Sequence, residues 1–325
     1  MKALFLGNVA ADTANGIKAQ LTPELGVEVL ADPRQLAEQP EAAADADIIV
    51  TNHWRGDYAP APSVRLVQSV ATGIELIDLA ALPRGVAICN AFGHETAIAE
   101  YVLMTMLVWS HRFREIEGDF RGRSSWRPSW VQSGPPHGEI LGNTVGIIGL
   151  GRVGCAVARR AAAFGCRVLA ANRSPRPPES GVERVYSLTE LDEMLPVCDF
   201  VVLCTALGAE TEGLIDARRL ALVKPSAFLV NIARGQIVDE DAIYTALRDH
   251  RIGGAALDVW WQYPNAAEPE RRPSRYPFHE LPNVIMTPHC SGWTEGMVRR
   301  RWDEVAGNLN RFVRGEPLIN IVTTT

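Results

Sequence analysis

Short apolar runs bounded by polar or turn-forming residues recur along the whole chain. In the first part they fall at residues 2–9, 46–51, 65–69 and 86–90, and their length predicts strands of a small α/β domain. Residues 33–44 are alanine-rich and predict helix, which Pro40 interrupts. Residues 95–112 form a longer helical stretch, apolar on most of its circumference, which requires cover on several sides. Residues 118–138 carry Trp126, Trp130 and several Gly, Ser and Pro with little periodicity, and predict an extended connection. From residue 141 the pattern becomes a regular alternation. Strands are predicted at 144–149, 167–171, 200–204, 227–231, 253–259 and 284–287, with helices at 153–164, 188–194, 214–221 and 239–249. Such alternation predicts a mostly parallel sheet covered on both faces. A last helix at 294–314 repeats Met297, Trp302, Val305, Leu309 and Phe312 at helical spacing. Its place beyond the last strand predicts a return onto the first domain. The expected division is 1–100 plus 288–325 for one domain and 101–287 for the other.

With 325 residues, the chain is long enough for two domains with cores of their own. The net charge of −6 gives no general attraction to nucleic acid or to an anionic membrane, so neither is expected as a partner. The six cysteines include no close CxxC pair, and most sit in or beside apolar runs. That usage suits buried free thiols in a reducing, cytoplasmic setting. The amino terminus reads as a first strand rather than a signal peptide, and no metal site is expected.

The strand at 144–149 runs into Gly149-Leu150-Gly151-Arg152-Val153-Gly154, followed directly by a predicted helix. GxGxxG between strand and helix is the dinucleotide fingerprint. Its glycines allow a tight turn, close approach of backbone to pyrophosphate and close helix–sheet packing, and the helix start offers free N–H groups to phosphate. The next strand ends in Asn172, followed by Arg173, Ser174 and Arg176. An NAD site usually has an acidic residue here for the ribose 2′-hydroxyl. A neutral Asn172 followed by two arginines and a hydroxyl favours a 2′-phosphate, hence NADP, with NAD as the alternative.

Two further segments place polar groups where predicted strands end: Asn231-Ile232-Ala233-Arg234-Gly235 and Thr287-Pro288-His289-Cys290. Arginine clamps carboxylates with paired hydrogen bonds, and histidine exchanges protons near neutral pH. Alone, Arg234 reads equally well as a surface cap and His289 as a satisfied core residue. Together, beside a nicotinamide site, they suggest hydride transfer coupled to proton transfer.

These motifs, with Asp239-Glu240, Ala256-Leu257-Asp258-Val259 and Leu281-Pro282-Asn283-Val284-Ile285-Met286-Thr287-Pro288-His289, resemble the D-isomer-specific 2-hydroxyacid dehydrogenases over essentially the whole sequence. The resemblance implies an α/β fold of two Rossmann-like domains with a cleft, the second a dinucleotide-binding parallel sheet, and a homodimer. It implies that Arg234 binds and polarises a 2-oxo acid and that His289 is the acid/base. Asp258 would contact the nicotinamide amide, and Cys204, Thr205 and Ala233 would join the glycine motif in holding cofactor. Backbone at Thr72-Gly73-Ile74 would hold the substrate carboxylate, with His94 at the substrate mouth or, alternatively, only starting a helix. The implied reaction is reversible reduction of a small 2-oxo acid of the glyoxylate or hydroxypyruvate kind by NADPH. The alternatives are a dehydrogenase of another small anion and a catalytically weak nucleotide sensor.

One residue departs from the family. The family's usual glutamate partner of the histidine falls five residues after Asp258, where this chain has Tyr263. A carboxylate raises the histidine pKa and orients the ring, whereas a neutral phenol orients it but supports the charged form far less. The related formate dehydrogenases use glutamine there. Gln262 is one position off that pattern, and His94 does not supply their usual asparagine, which ranks a formate-like reaction low.

Overall fold

The computed structural model describes residues 1–174, 176–265 and 267–325. The chain forms two compact units, Met1–His94 with Thr294–Thr325, and Glu95–Trp293. Both boundaries differ from those expected at 100 and 287. The helix Glu95–Ser110 is continuous and packs on the helix Arg152–Ala163, so all of it belongs to the second unit. The segment after the last strand of that unit stays with it because Ser291 donates to the buried Asp258.

The first unit has a six-stranded sheet. Its order is Ile321–Thr324, Ala87–Cys89, Leu66–Gln68, Ile48–Val50, Lys2–Leu6, Gly26–Leu30, and only Ile321–Thr324 runs antiparallel to its neighbour. Leu4, Leu6, Ile49 and Val67 face one core cluster with Trp54. Ala3, Phe5, Ile48 and Val50 face another, completed by the helices Asn8–Ile17 and Glu295–Arg314. That alternation is the period of two that a sheet imposes. Gly16 is glycine because any side chain there would run into the Trp302 ring.

The second unit has a seven-stranded, all-parallel sheet, ordered Val284–Met286, Gly254–Leu257, Phe228–Asn231, Phe200–Leu203, Thr144–Ile148, Arg167–Asn172, Arg184–Ser187. The strand order reverses between Thr144–Ile148 and Phe200–Leu203, and this is the switch point at which open α/β sheets bind ligands beyond the carboxyl ends of strands. Apolar clusters line both faces, which accounts for strands that read as unbroken apolar runs. Part of the segment expected to be extended is instead the helix Phe113–Arg123. Its Gly118 and Gly122 lower helix propensity, but ion pairs Arg112–Glu115, Arg121–Glu117 and Arg123–Asp119 lie at helical spacing along it.

Candidate active site

Every chemistry-bearing motif of the second unit sits just past the carboxyl end of a strand of its sheet. At the switch point Gly149 has φ +99°, and a Cβ there would stand 2.6 Å from the Thr205 nitrogen. Gly154 lies so close to the Gly149 carbonyl that no side chain fits. Gly151 is different: a Cβ there would meet nothing within 4 Å. It begins the helix Arg152–Ala163, and no side chain caps that helix start. Open space before uncapped amides is the cradle that a pyrophosphate requires, so the residues present fit a dinucleotide. Arg152 makes an ion pair of 3.8 Å with Glu95, and Val153 packs partly buried beside the sheet. Cys204 follows the neighbouring strand, and burial pushes its thiol up to about 12. It is a neutral wall residue at physiological pH.

Asn172, at the end of its strand, turns back into the glycine loop. Its Oδ1 accepts from Leu150 N at 3.2 Å and its Nδ2 donates to Ser174 O at 2.9 Å. The two arginines beyond it are not equivalent. Arg176 donates to the Leu150 carbonyl and pairs with Glu179, so the expected second free cation is already neutralised. Arg173 is exposed, as is Ser174, and among the described residues Arg173 makes no ion pair.

The polar cluster lies at the ends of the next three strands. Buried Asn231 holds the Arg234 turn: its Nδ2 donates to Arg234 O at 2.9 Å, and its Oδ1 accepts from Ala233 N at 3.1 Å. The Arg234 side chain is exposed and spends one donor on Ala233 O at 2.8 Å. Asp258 is wholly buried. Its Oδ1 accepts from Thr287 Oγ1 at 2.6 Å and Cys290 N at 2.9 Å, and its Oδ2 accepts from Ser291 N at 2.9 Å. Tyr101 Oη stands 2.7 Å from the same Thr287 hydroxyl, and burial pushes that phenol to about 12. The resemblance implies an Asp258 contact with nicotinamide. In the structure this carboxylate has no exposed surface, and its bonds run to the turn that carries His289.

That turn is strained. His289 has φ +57°, a left-handed conformation uncommon for a side chain with Cβ. Its Nδ1 lies 2.9 Å from Tyr263 Oη, and Oη accepts from Trp260 N at 3.3 Å. Desolvation pushes the imidazole below its usual range, with nearby Arg234 adding to the effect and Asp258 opposing it. Burial likewise holds the Tyr263 phenol above its usual value. Asn231, Thr287, Trp260 and Tyr101 escaped the sequence reading. Asn231 and Thr287 stand inside the quoted strand-end motifs, but their partners are set by tertiary structure.

In the first unit, Thr72 Oγ1 donates to Ala91 O at 3.0 Å and stands 3.3 Å from His94 Nδ1. Asn90 Nδ2 donates to Thr72 O at 2.7 Å. Gly73 and Ile74 continue that loop, with Ile74 packed against the core. His94 stacks on Phe92, their centroids 6.3 Å apart. Among the described residues, no group of three His, Cys, Asp or Glu could hold a metal ion, and no helix is long and apolar enough to cross a membrane.

Residues 103–291 match the family described as "D-isomer specific 2-hydroxyacid dehydrogenase, NAD binding domain". The chain is 35% identical over 317 residues to a glyoxylate reductase of Thermococcus kodakarensis, covering 90% of this chain and 91% of the relative. It is 36% identical over 316 residues to the glyoxylate reductase of Thermococcus onnurineus, covering 93% and 90%. Among solved structures, a D-isomer-specific 2-hydroxyacid dehydrogenase family protein from Aeromonas salmonicida superposes with a TM-score of 0.80 at 26% identity, over 99% of this chain and 98% of that one. The chain belongs to the D-isomer-specific 2-hydroxyacid dehydrogenase family. It is an NAD(P)-dependent oxidoreductase with a Rossmann-type nucleotide-binding unit.

Proposed function

We propose that the protein reduces a small 2-oxo acid, in the first instance glyoxylate or hydroxypyruvate, to the 2-hydroxy acid, with the D configuration where the product is chiral. The observation that carries this reading is the placement of Arg234, Tyr263 and His289 past the strand ends of the sheet that bears the glycine cradle, with Arg234 close enough to act electrostatically on both of the others. The bound nicotinamide supplies or takes up the hydride. Arg234 holds the substrate's carboxylate and draws charge toward its carbonyl oxygen, and His289 exchanges the proton at that oxygen. Asp258 is assigned to positioning the His289 turn. In the first unit, backbone at Thr72, Gly73 and Ile74 is assigned to the substrate carboxylate, and His94, tied to Thr72, to the shape of that loop. The names of the Thermococcus relatives support the substrate class.

NADPH is the proposed cofactor, because Asn172 carries no charge and Arg173 is unpaired among the described residues, with NAD as the alternative. A homodimer is proposed on the exposed apolar side chains Met104, Phe113, Phe120, Trp126, Trp130 and Phe164, of which Trp130 is 89% exposed. Light scattering of the protein and of Trp130→Ala tests that assembly. The function is tested by following nicotinamide absorbance with a panel of 2-oxo acids and both cofactors. Turnover of glyoxylate or hydroxypyruvate with NADPH is expected, with most of it lost in His289→Ala while NADPH still binds. Binding of cofactor without turnover of any panel member would overturn the reading.

A further inference from the structure

Two hydrogen bonds converge on the Tyr263 phenol, and together they favour one direction for its proton. Trp260 N donates to Oη at 3.3 Å, and Oη lies 2.9 Å from His289 Nδ1. A peptide N–H can only donate, so the first bond uses a lone pair of Oη. The other lone pair of a phenol oxygen is conjugated with the ring and accepts poorly, which favours the phenol proton as the partner of Nδ1. A neutral imidazole that accepts at Nδ1 carries its own proton on Nε2. A carboxylate at this place would do the reverse, accepting from Nδ1–H and favouring the doubly protonated ring. The arrangement is braced from behind, since Trp260 Nε1 donates to Thr287 O at 2.8 Å and Asp258 ties down Thr287, Cys290 and Ser291.

We propose that Tyr263 is a positioning residue that sets His289 in its neutral, Nε2-protonated form and backs it with a second proton, arming the site for reduction. The inference rests on the dehydrogenase reading above. As the substrate oxygen gains charge, the Nε2–H bond breaks and the new O–H bond forms. The phenol O–H bond breaks in turn and an N–H bond forms at Nδ1. His289 ends neutral and Tyr263 ends as phenolate. Solvent returns the lost proton to Tyr263, a residue that is 40% exposed. The hydride brings the electron pair, the oxygen takes one proton and the protein gives one, so the step balances. A phenolate is a much weaker base than an alkoxide, so the transfer runs downhill.

The charged and titratable groups facing the pair are Arg234 and Asp258, with the Cys290 thiol beside them. Arg234 favours phenolate and neutral imidazole, and Asp258 opposes both. Burial holds the phenol above its usual range and the imidazole below its own, so the pair rests at neutral pH as phenol and neutral ring. Oxidation of a hydroxy acid must start from the phenolate and is therefore an alkaline reaction.

The test combines nitrogen NMR of the histidine-labelled, ligand-free protein with pH profiles of 2-oxo acid reduction. The His289 signals are those that vanish in His289→Gln. The unsubstituted protein is expected to show the Nε2–H tautomer at about pH 8, and Tyr263→Phe a mixture. An Nδ1–H signature in the unsubstituted protein overturns the proposal even if the enzyme reduces oxo acids normally. Reduction kcat/KM is expected to stay flat between about pH 7 and 9. In Tyr263→Phe, which must use charged His289, it should fall about tenfold per pH unit. Tyr263→Glu should fall likewise, with its midpoint moved upward. Parallel decline in the unsubstituted protein and Tyr263→Phe overturns the relay. Failure to turn over any 2-oxo acid removes the dehydrogenase reading and the relay together, while the NMR still decides the tautomer.

Discussion

Asn231 grips the turn that carries Arg234 from below, donating to the Arg234 carbonyl at 2.9 Å and accepting from Ala233 N at 3.1 Å. The arginine's position is thus fixed by a buried side chain three residues earlier, not by contacts of its guanidinium alone. Asn231→Ala should leave the buried Ala233 N–H unpaired, while the Arg234 carbonyl keeps only its bond from Ile237 N, costing about 1–3 kcal/mol of stability, and should lower kcat/KM on an accepted oxo acid while the guanidinium chemistry is unchanged. Arg234→Lys separates the two contributions, since it keeps the turn and the charge but loses the planar fork. It should show normal unfolding and a steep loss of turnover. Steady-state kinetics paired with denaturant unfolding of both variants checks the division of labour, and unaltered kinetics in Arg234→Lys would remove the arginine from the substrate site.

Asp258 faces three donors, Thr287 Oγ1, Cys290 N and Ser291 N. Asp258→Asn replaces one acceptor oxygen by a donor, which then opposes an N–H or O–H. The left-handed His289 is held by this carboxylate, so the turn should relax. Expected outcomes are a lower thermal midpoint, a lower kcat and almost unchanged dinucleotide affinity, because the glycine cradle lies on other strands. A large loss of NADPH binding, read by fluorescence titration, would return Asp258 to the cofactor.

Six of the seven strands of the second unit were legible because both faces of its sheet are buried, which writes each of them as a continuous apolar run. Gly26–Leu30 was not, because it is an edge strand whose Val27 and Val29 remain exposed. The helix Asn8–Ile17 was hidden by the apolar run it shares with the first strand, the break between them being Gly7 at φ +96°. Arg184–Ser187 and Ile321–Thr324 are short, partly exposed edge strands of the same kind. In the candidate site, residue types at strand ends were readable, but pairings were not. Glu179 neutralising Arg176, Asp258 reaching Ser291 and Trp260 orienting Tyr263 all depend on where the chain returns in space.

Gly149 and Gly151 of the cradle should respond differently to one added methyl group. In Gly149→Ala the side chain meets Thr205 backbone and sits at positive φ, which alone costs about 1–2 kcal/mol, so stability and dinucleotide binding should fall together. Gly151→Ala meets nothing within 4 Å and has φ −82°. Its thermal midpoint should match the unsubstituted protein while its dinucleotide affinity drops, because the methyl group occupies only space that a ligand needs. Equal affinity for NADPH in Gly151→Ala, measured by calorimetric titration, would show that the pyrophosphate does not lie over this residue.

Cofactor choice turns on the unequal arginines. Arg173 is exposed and unpaired among the described residues, whereas Arg176 is held by Glu179 and the Leu150 carbonyl. A charge-assisted bond to a 2′-phosphate is absent from NADH, so Arg173→Ala should weaken NADPH about tenfold or more and NADH little. Glu179→Gln removes the anion that competes for Arg176 and leaves a neutral side chain of the same size. It should tighten NADPH and leave NADH unchanged, and this gain should shrink as salt screens the phosphate. Titrations of both cofactors at low and high ionic strength check the pair of variants. Equal losses for NADPH and NADH in Arg173→Ala, with no gain in Glu179→Gln, would transfer the preference to NAD, with Asn172 the remaining candidate for the ribose 2′-hydroxyl.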